Sequence, residues 1–186
     1  MILTYNQYIN EVWLNKIGKS SKEKSVVSTD KLASPQSYKK GAEKVDTIGP
    51  LEIYSAHTPG GGMTHFTWHP GEKLIHHTVH AAEANNNGGK TRLKFLSAHG
   101  REGSPVRMDQ VYSKLVQDHN REFVATGHSP GAKKMWDRLR QNSSLKVSDE
   151  TGREVHKDEN VYADHKTVNP EEKKIGRKVI ILSKRD

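Results

Sequence analysis

Seven of the 11 histidines in this 186-residue chain fall between His57 and His99. Imidazole titrates near neutral pH, moves protons and binds metals, so such a cluster raises acid–base and metal chemistry together. A metal site needs several ligands at a recognisable spacing. His76, His77 and His80 lie in a strand-like run, where alternation puts His76 and His80 on one face and His77 on the other. No His-Glu-x-x-His pair occurs and no nearby acid completes a ligand set, so no metal is expected. The histidines read as half-buried strand residues, usable as acid–base groups or as added positive charge at low pH. Cysteine is absent, which excludes disulfides, thiolate metal sites and cysteine nucleophiles. His57, Asp109 and Ser104 have the residue types of a nucleophilic triad. No Gly-x-Ser-x-Gly elbow presents the serine, so the set reads as coincidence.

Two further features bear on anions. His99-Gly100-Arg101-Glu102-Gly103-Ser104-Pro105 joins a strand to a helix, and backbone N–H groups at a helix start can hold a phosphate. Lys133, Lys134, Arg138 and Arg140 sit on a second helix, beside or opposite its apolar stripe. They read as a solvated face, with contact to nucleic acid as the alternative. The whole chain has 30 Lys+Arg against 22 Asp+Glu, a formal charge of +8 and a pI near 9.5. That balance suits polyanions, through counterion release, as well as it suits plain solubility.

Residues 51–56, 63–69, 74–82 and 91–98 read as strands separated by turn signals, with residues 85–89 (Asn-Asn-Asn-Gly-Gly) as a loop. Ser104-Pro105 reads as a helix start, with Met108, Val111, Tyr112, Leu115 and Val116 as its stripe. Residues 123–125 form a short strand. Ser129-Pro130 then starts a second helix striped by Ala132, Met135, Trp136 and Leu139. After about residue 143 the chain turns polar, with strand candidates at 154–162 and 178–182. The expected fold is α/β, a mixed and mostly antiparallel sheet carrying a strand–helix–strand–helix segment with one parallel pair. Ahead of it, residues 12–48 carry eight lysines against four acids and no period, and read as a disordered basic linker before a domain over 49–184. Hydrophobic residues make up 32% and mean hydropathy is −0.86, which fits partial order. No run is apolar enough to span a bilayer, and no membrane partner is expected.

The element order and the Gly-rich turn resemble GNAT-type acetyltransferases, in which such a turn after a bulged strand cradles the pyrophosphate of coenzyme A. Ser129-x-x-Ala132-x-x-Met135-Trp136 is similar to that family's Asn-x-x-Ala-x-x-Leu-Tyr element. The resemblance spans residues 49–184 and implies acetyl-CoA as cofactor, with Gly100, Arg101, Gly103 and Ser104 at its phosphates. Glu52, Glu72 or Glu83 would then be the general base. The departures point the other way. The Gln/Arg-x-x-Gly-x-Gly/Ala spacing is missing, and Pro105 removes an amide that could face phosphate. Trp136 replaces the tyrosine that protonates the departing thiolate, and indole has no acidic proton to give. A catalytically degenerate relative that binds no cofactor is therefore expected.

Residues 1–17 can form one amphipathic helix, opened by Thr4 and Gln7 as a capping box. Within it, MILTYNQYINE resembles the capsid-targeting propeptide of internal head proteins of T-even-type tailed bacteriophages. Thr4, Tyr5, Tyr8, Ile9 and Glu11 match that motif in order and spacing, while Ile2-Leu3 stands where the family often has lysine. The resemblance implies docking on the phage scaffold core and cutting by the prohead protease between Glu11 and Val12, after Ile9-Asn10-Glu11. Loss of residues 1–11 removes one acid, raising the formal charge from +8 to +9. The implied protein sits in the virion head with packaged DNA, is injected, and counters host defence through a host protein target in the cytoplasm. Two other functions stay open: an acyltransferase acting on a host target, and a DNA-condensing protein.

Overall fold

Side-chain alternation of period two organises eight strands of this chain into a single sheet. A computed structural model describes residues 30–58, 62–87, 90–125, 130–149, 151–156 and 179–185. The propeptide-like segment, with Thr4, Tyr5, Tyr8, Ile9, Glu11 and Val12, lies outside the described residues, and so does most of the strand candidate at 154–162. Within them are eight strands and three helices. Helix α1 (Pro35–Tyr38) precedes β1 (Glu43–Ile48), β2 (Leu51–Thr58), β3 (Gly62–His69), β4 (Leu74–Asn87) and β5 (Lys90–Gly100). Then come α2 (Met108–His119), β6 (Arg121–Ala125), α3 (Pro130–Gln141), β7 (Leu145–Asp149) and β8 (Ile180–Lys184). The strands are ordered β1-β2-β3-β4-β5-β6-β8-β7. Every neighbouring pair is antiparallel except β5 and β6, which are parallel. The fold is the expected mixed, mostly antiparallel α/β class.

Both faces of the central strands are covered. On one face Leu51, Ile53, Met63, Val79, Leu93 and Phe123 pack with the α2 stripe of Val111, Tyr112, Leu115 and Val116, and with Trp136 and Leu139 of α3. This larger core forms because i, i+3, i+4 spacing gives each helix one apolar side to lay on the sheet. Tyr112 meets Phe123 edge-on at 5.2 Å between ring centroids. Asn120, at φ 51°, ends α2 in the left-handed conformation that asparagine tolerates better than most residues. On the opposite face Tyr54, Ala56, Phe66, Trp68 and Ile75 are capped by Leu32, Tyr38 and Ala42. Tyr38 stands edge-on to Phe66 at 4.9 Å, and Tyr54 stacks on the same ring at 5.4 Å. Aromatic pairs in these geometries add about 0.5–1.5 kcal/mol beyond their buried area.

Several boundaries differ from the sequence reading. Residues 30–48 lie in the stretch assigned to a disordered linker, yet they supply α1, β1 and the cover of the second face. Strand β1 is a charged edge, with only Ala42, just before it, fully buried in this stretch beyond Pro35, so it shows no strong alternation. Residues 85–87, read as loop, continue β4, which pairs with β5 as far as Asn87 and Lys90. Strand β7 falls in the stretch that reads as polar, because only Leu145, Val147 and Ser148 of it are buried. Helix α2 begins at Met108 rather than at Pro105. Among the described residues no helix is long and apolar enough to cross a membrane.

Leu115 is fully buried beneath α2, so Leu115→Ala is expected to lower the unfolding free energy by about 2–5 kcal/mol in urea titration. Tyr38→Ala is expected to cost about 1–3 kcal/mol, because it uncovers Phe66. An unchanged midpoint for Tyr38→Ala would show that the α1 segment contributes no cover.

Candidate functional site

The turn between β5 and α2 is where strand ends, a helix start and three polar side chains converge. Gly100 ends β5 opposite His77, and a Cβ there would sit 3.3 Å from the imidazole Cδ2, so the close approach favours glycine. Gly103 takes φ +74°, a conformation that glycine adopts without strain. The turn is fastened to β4. Arg101 N–H donates to the His76 carbonyl at 2.7 Å, and its Nε donates to the Ile75 carbonyl at 3.2 Å. Ser104 Oγ lies 3.2 Å from His76 Nδ1, and His76 Nε2 lies 2.8 Å from Glu72 Oε2. The hydrogen bond from His76 is the main reason the Glu72 carboxyl lies below its ordinary range; burial opposes it, and the charges of His69, His76 and Arg101 add to the lowering.

These contacts explain why Ser104 does not cap the helix. Its hydroxyl faces His76, Val106 is buried, the chain bends at Pro105 and Val106, and Arg107 is extended just before the helix. Gln110 then reaches back to accept from the Arg107 N–H at 2.9 Å. The first turn of α2 also carries Asp109, which is buried and accepts two 3.1 Å bonds from Arg107. Arg138 of α3 approaches the same carboxylate at 3.5 Å. A carboxylate at a helix N-terminus complements the dipole there. It also repels an incoming phosphate, and Pro105 offers no N–H. Gly100, Arg101, Gly103 and Ser104 are thus brought together as expected, but in a turn that bonds to its own β4 rather than presenting an open ring of amides.

The remaining candidates scatter. Trp136 is buried in the helix-side core. Glu52 pairs with Lys44 at 2.6 Å and accepts from the Tyr54 hydroxyl at 2.9 Å, far from the turn in sequence and in contacts. Of Glu83 only the backbone, paired with Leu93, is described. His57, Asp109 and Ser104 are not assembled: Ser104 bonds to His76, while Asp109 bonds to Arg107 and Arg138. Lys133 and Lys134 are exposed on α3 and Arg138 is half exposed there. Arg140 departs from that face. Its side chain is buried, paired with Asp137 and bonded to the His156 carbonyl at 2.8 Å. An open groove of about 460 Å³ runs between α2 and α3, lined by Arg107, Asp109, Lys114, Arg138 and Asn142 among others.

Three of the strand histidines are paired with hydroxyls across the sheet. His65 Nδ1 bonds Ser55 Oγ at 2.6 Å, His77 Nδ1 bonds Thr67 Oγ1 at 2.8 Å, and His80 Nδ1 bonds Thr64 Oγ1 at 3.0 Å. Each pair is directly opposed in register, so the signal was readable only once the strands were aligned. Simple alternation fails at His76. Ile75 pairs with Trp68 and His77 with the adjacent Thr67, so His76 falls at a bulge and its ring reaches out to Ser104. Among the described residues no group of three His, Asp or Glu side chains is placed to hold a metal ion. No family model matches this chain, and no curated protein is significantly similar to it.

Burial dominates the two innermost rings. It pushes His65 down to about 3, helped by the charges of Arg121, His119 and His57. It pushes His77 down to about 4, helped by His76. Both therefore stay neutral in the fold while the unfolded chain protonates them near 6.5. The unfolded state binds more protons in that interval, so stability is full above it and is lost as pH falls from about 6.5 toward 4. The urea midpoint is expected to drop between about pH 7 and pH 5, before the paired carboxylates begin to titrate, and to drop less in His77→Gln. A midpoint that stays flat over this range would contradict the buried neutral state.

Proposed function

We propose that this chain is an internal head protein of a T-even-type phage, carrying a GNAT-like domain that no longer transfers acetyl groups. The single observation that carries the first half is the set Thr4, Tyr5, Tyr8, Ile9 and Glu11, matching the capsid-targeting propeptide in order and spacing. A short helix with one apolar stripe docks readily in a groove between partner helices. Removing it after Glu11 would release a more basic protein among packaged DNA phosphates. Lys133, Lys134 and Arg138 would supply exposed positive charge toward that DNA. The prohead protease and scaffold core are the partners before packaging. A host protein, engaged after injection to blunt a defence, is the partner afterwards.

The body of the proposal rests on element order. Five antiparallel strands lead into a parallel step across α2, and β5 is irregular at Leu96 ahead of the Gly-rich turn. Those features support a GNAT-like framework. Buried Trp136, the fastened turn and the acid at the start of α2 argue against acetyl transfer on it. Binding and blocking a host component requires only a rigid surface.

Purified virions are expected to contain the protein as a chain beginning at Val12, read by intact mass and N-terminal analysis. Glu11→Ala is expected to leave that bond uncut. An intact Met1 in virions, or a protein found only in infected cytoplasm, would refute the assignment.

A further inference from the structure

We propose that Ser104, His76 and Glu72 form an acyl-transfer relay, with Ser104 as nucleophile toward short-chain activated oxygen esters. The relay is independent of the propeptide and of the GNAT-like reading. Its geometry is that of a nucleophile, a base and an orienting acid in line. Ser104 Oγ is 3.2 Å from His76 Nδ1, and His76 Nε2 is 2.8 Å from Glu72 Oε2. An ionised carboxylate only accepts hydrogen bonds, so Glu72 selects the tautomer with the proton on Nε2. That leaves the Nδ1 lone pair facing the serine hydroxyl, as a general base requires. The nitrogens are used in the opposite sense to the familiar serine protease arrangement, but the roles are the same.

The surroundings hold the imidazole and leave the serine approachable. His76 is 2% exposed, sits at the β4 bulge, and accepts the Arg101 N–H on its own carbonyl. Ser104 is partly exposed between exposed Gly103 and Pro105. The Ser104 N–H makes only a long 3.3 Å bond to the Arg101 carbonyl, which leaves a weakly held donor beside the reacting oxygen. A partly exposed serine on a turn fastened in this way suits a short acyl group on a good leaving group.

In the reaction, Ser104 Oγ attacks the acyl carbon and its proton passes to His76 Nδ1, while Glu72 steadies the imidazolium. Collapse breaks the bond to the alkoxide, which takes the proton from Nδ1 and departs. Acyl-Ser104 remains. Water attacks it by the same proton path, releases the carboxylic acid and restores the serine.

The test is covalent labelling of the folded full chain with a fluorophosphonate probe, mapped by peptide mass spectrometry, alongside p-nitrophenyl acetate turnover. The adduct is expected on Ser104 and absent from Ser104→Ala. Glu72 is half exposed, so Glu72→Gln is expected to fold, as checked by circular dichroism, and to label at least about tenfold more slowly. His76→Gln is less informative because the ring is buried. Exposed imidazoles can turn over nitrophenyl esters unaided, so the mapped adduct decides. No adduct on Ser104, or equal labelling in Glu72→Gln, would overturn the relay and leave the three side chains as a tie between turn and strand.

Discussion

Four residue pairs, Thr91–Arg121 through Lys94–Val124, join the two halves of the sheet. On one side lies the antiparallel run from β1 to β5, and on the other the β6-β8-β7 group. A parallel ladder cannot be closed by a tight turn; it needs a crossover, and α2 provides it. The stripe of α2 therefore has two duties. It buries Val111, Tyr112, Leu115 and Val116, and it bridges a seam that backbone pairing alone spans only briefly. Phe123, on the far side of that seam, meets Tyr112 from the helix and His65 from β3, which ties the halves through side chains.

The same crossover sets the character of the turn before α2. Past Lys94, β5 pairs only with β4 among the described residues, so its end at Gly100 has one neighbour to bond to. The turn accordingly folds back on β4, through Arg101 to the His76 and Ile75 carbonyls and through Ser104 to the His76 ring. The start of α2 is occupied at the same time by Asp109 and its two arginines. A turn able to cradle an anion would need donors directed outward; here the strongest of them point inward. The Ser104 hydroxyl is held against the His76 ring, whose other nitrogen meets Glu72.

Much of this was legible in the chain and some was not, for physical reasons. The central strands and both long helices announce themselves through period-two and helical spacing, because each has one face in a core. The linker reading failed at residues 30–48 because the cover of the second face is made by scattered single residues, Leu32, Tyr38 and Ala42, with no period. Strand β7 escaped because it is short and half of it is polar. The Gly-rich turn was located correctly from Gly100 to Ser104, yet its partners were not. Glu72 and His76 lie 28 or more residues before Ser104, and the bulge that aims His76 at the turn depends on strand register. Arg140 was misplaced because helical spacing alone does not reveal that Asp137 and the His156 carbonyl hold it inward.

The central claim is that the turn from Gly100 to Ser104 is closed by its own contacts to β4 rather than open to a nucleotide's phosphates. Titration of the full chain with acetyl-CoA, followed through the backbone amide signals of Glu102, Gly103 and Ser104, tests it most directly. Signals unchanged up to millimolar acetyl-CoA are the expected result. Saturable shifts of those three amides at lower concentration would contradict the account and restore the turn as a coenzyme site.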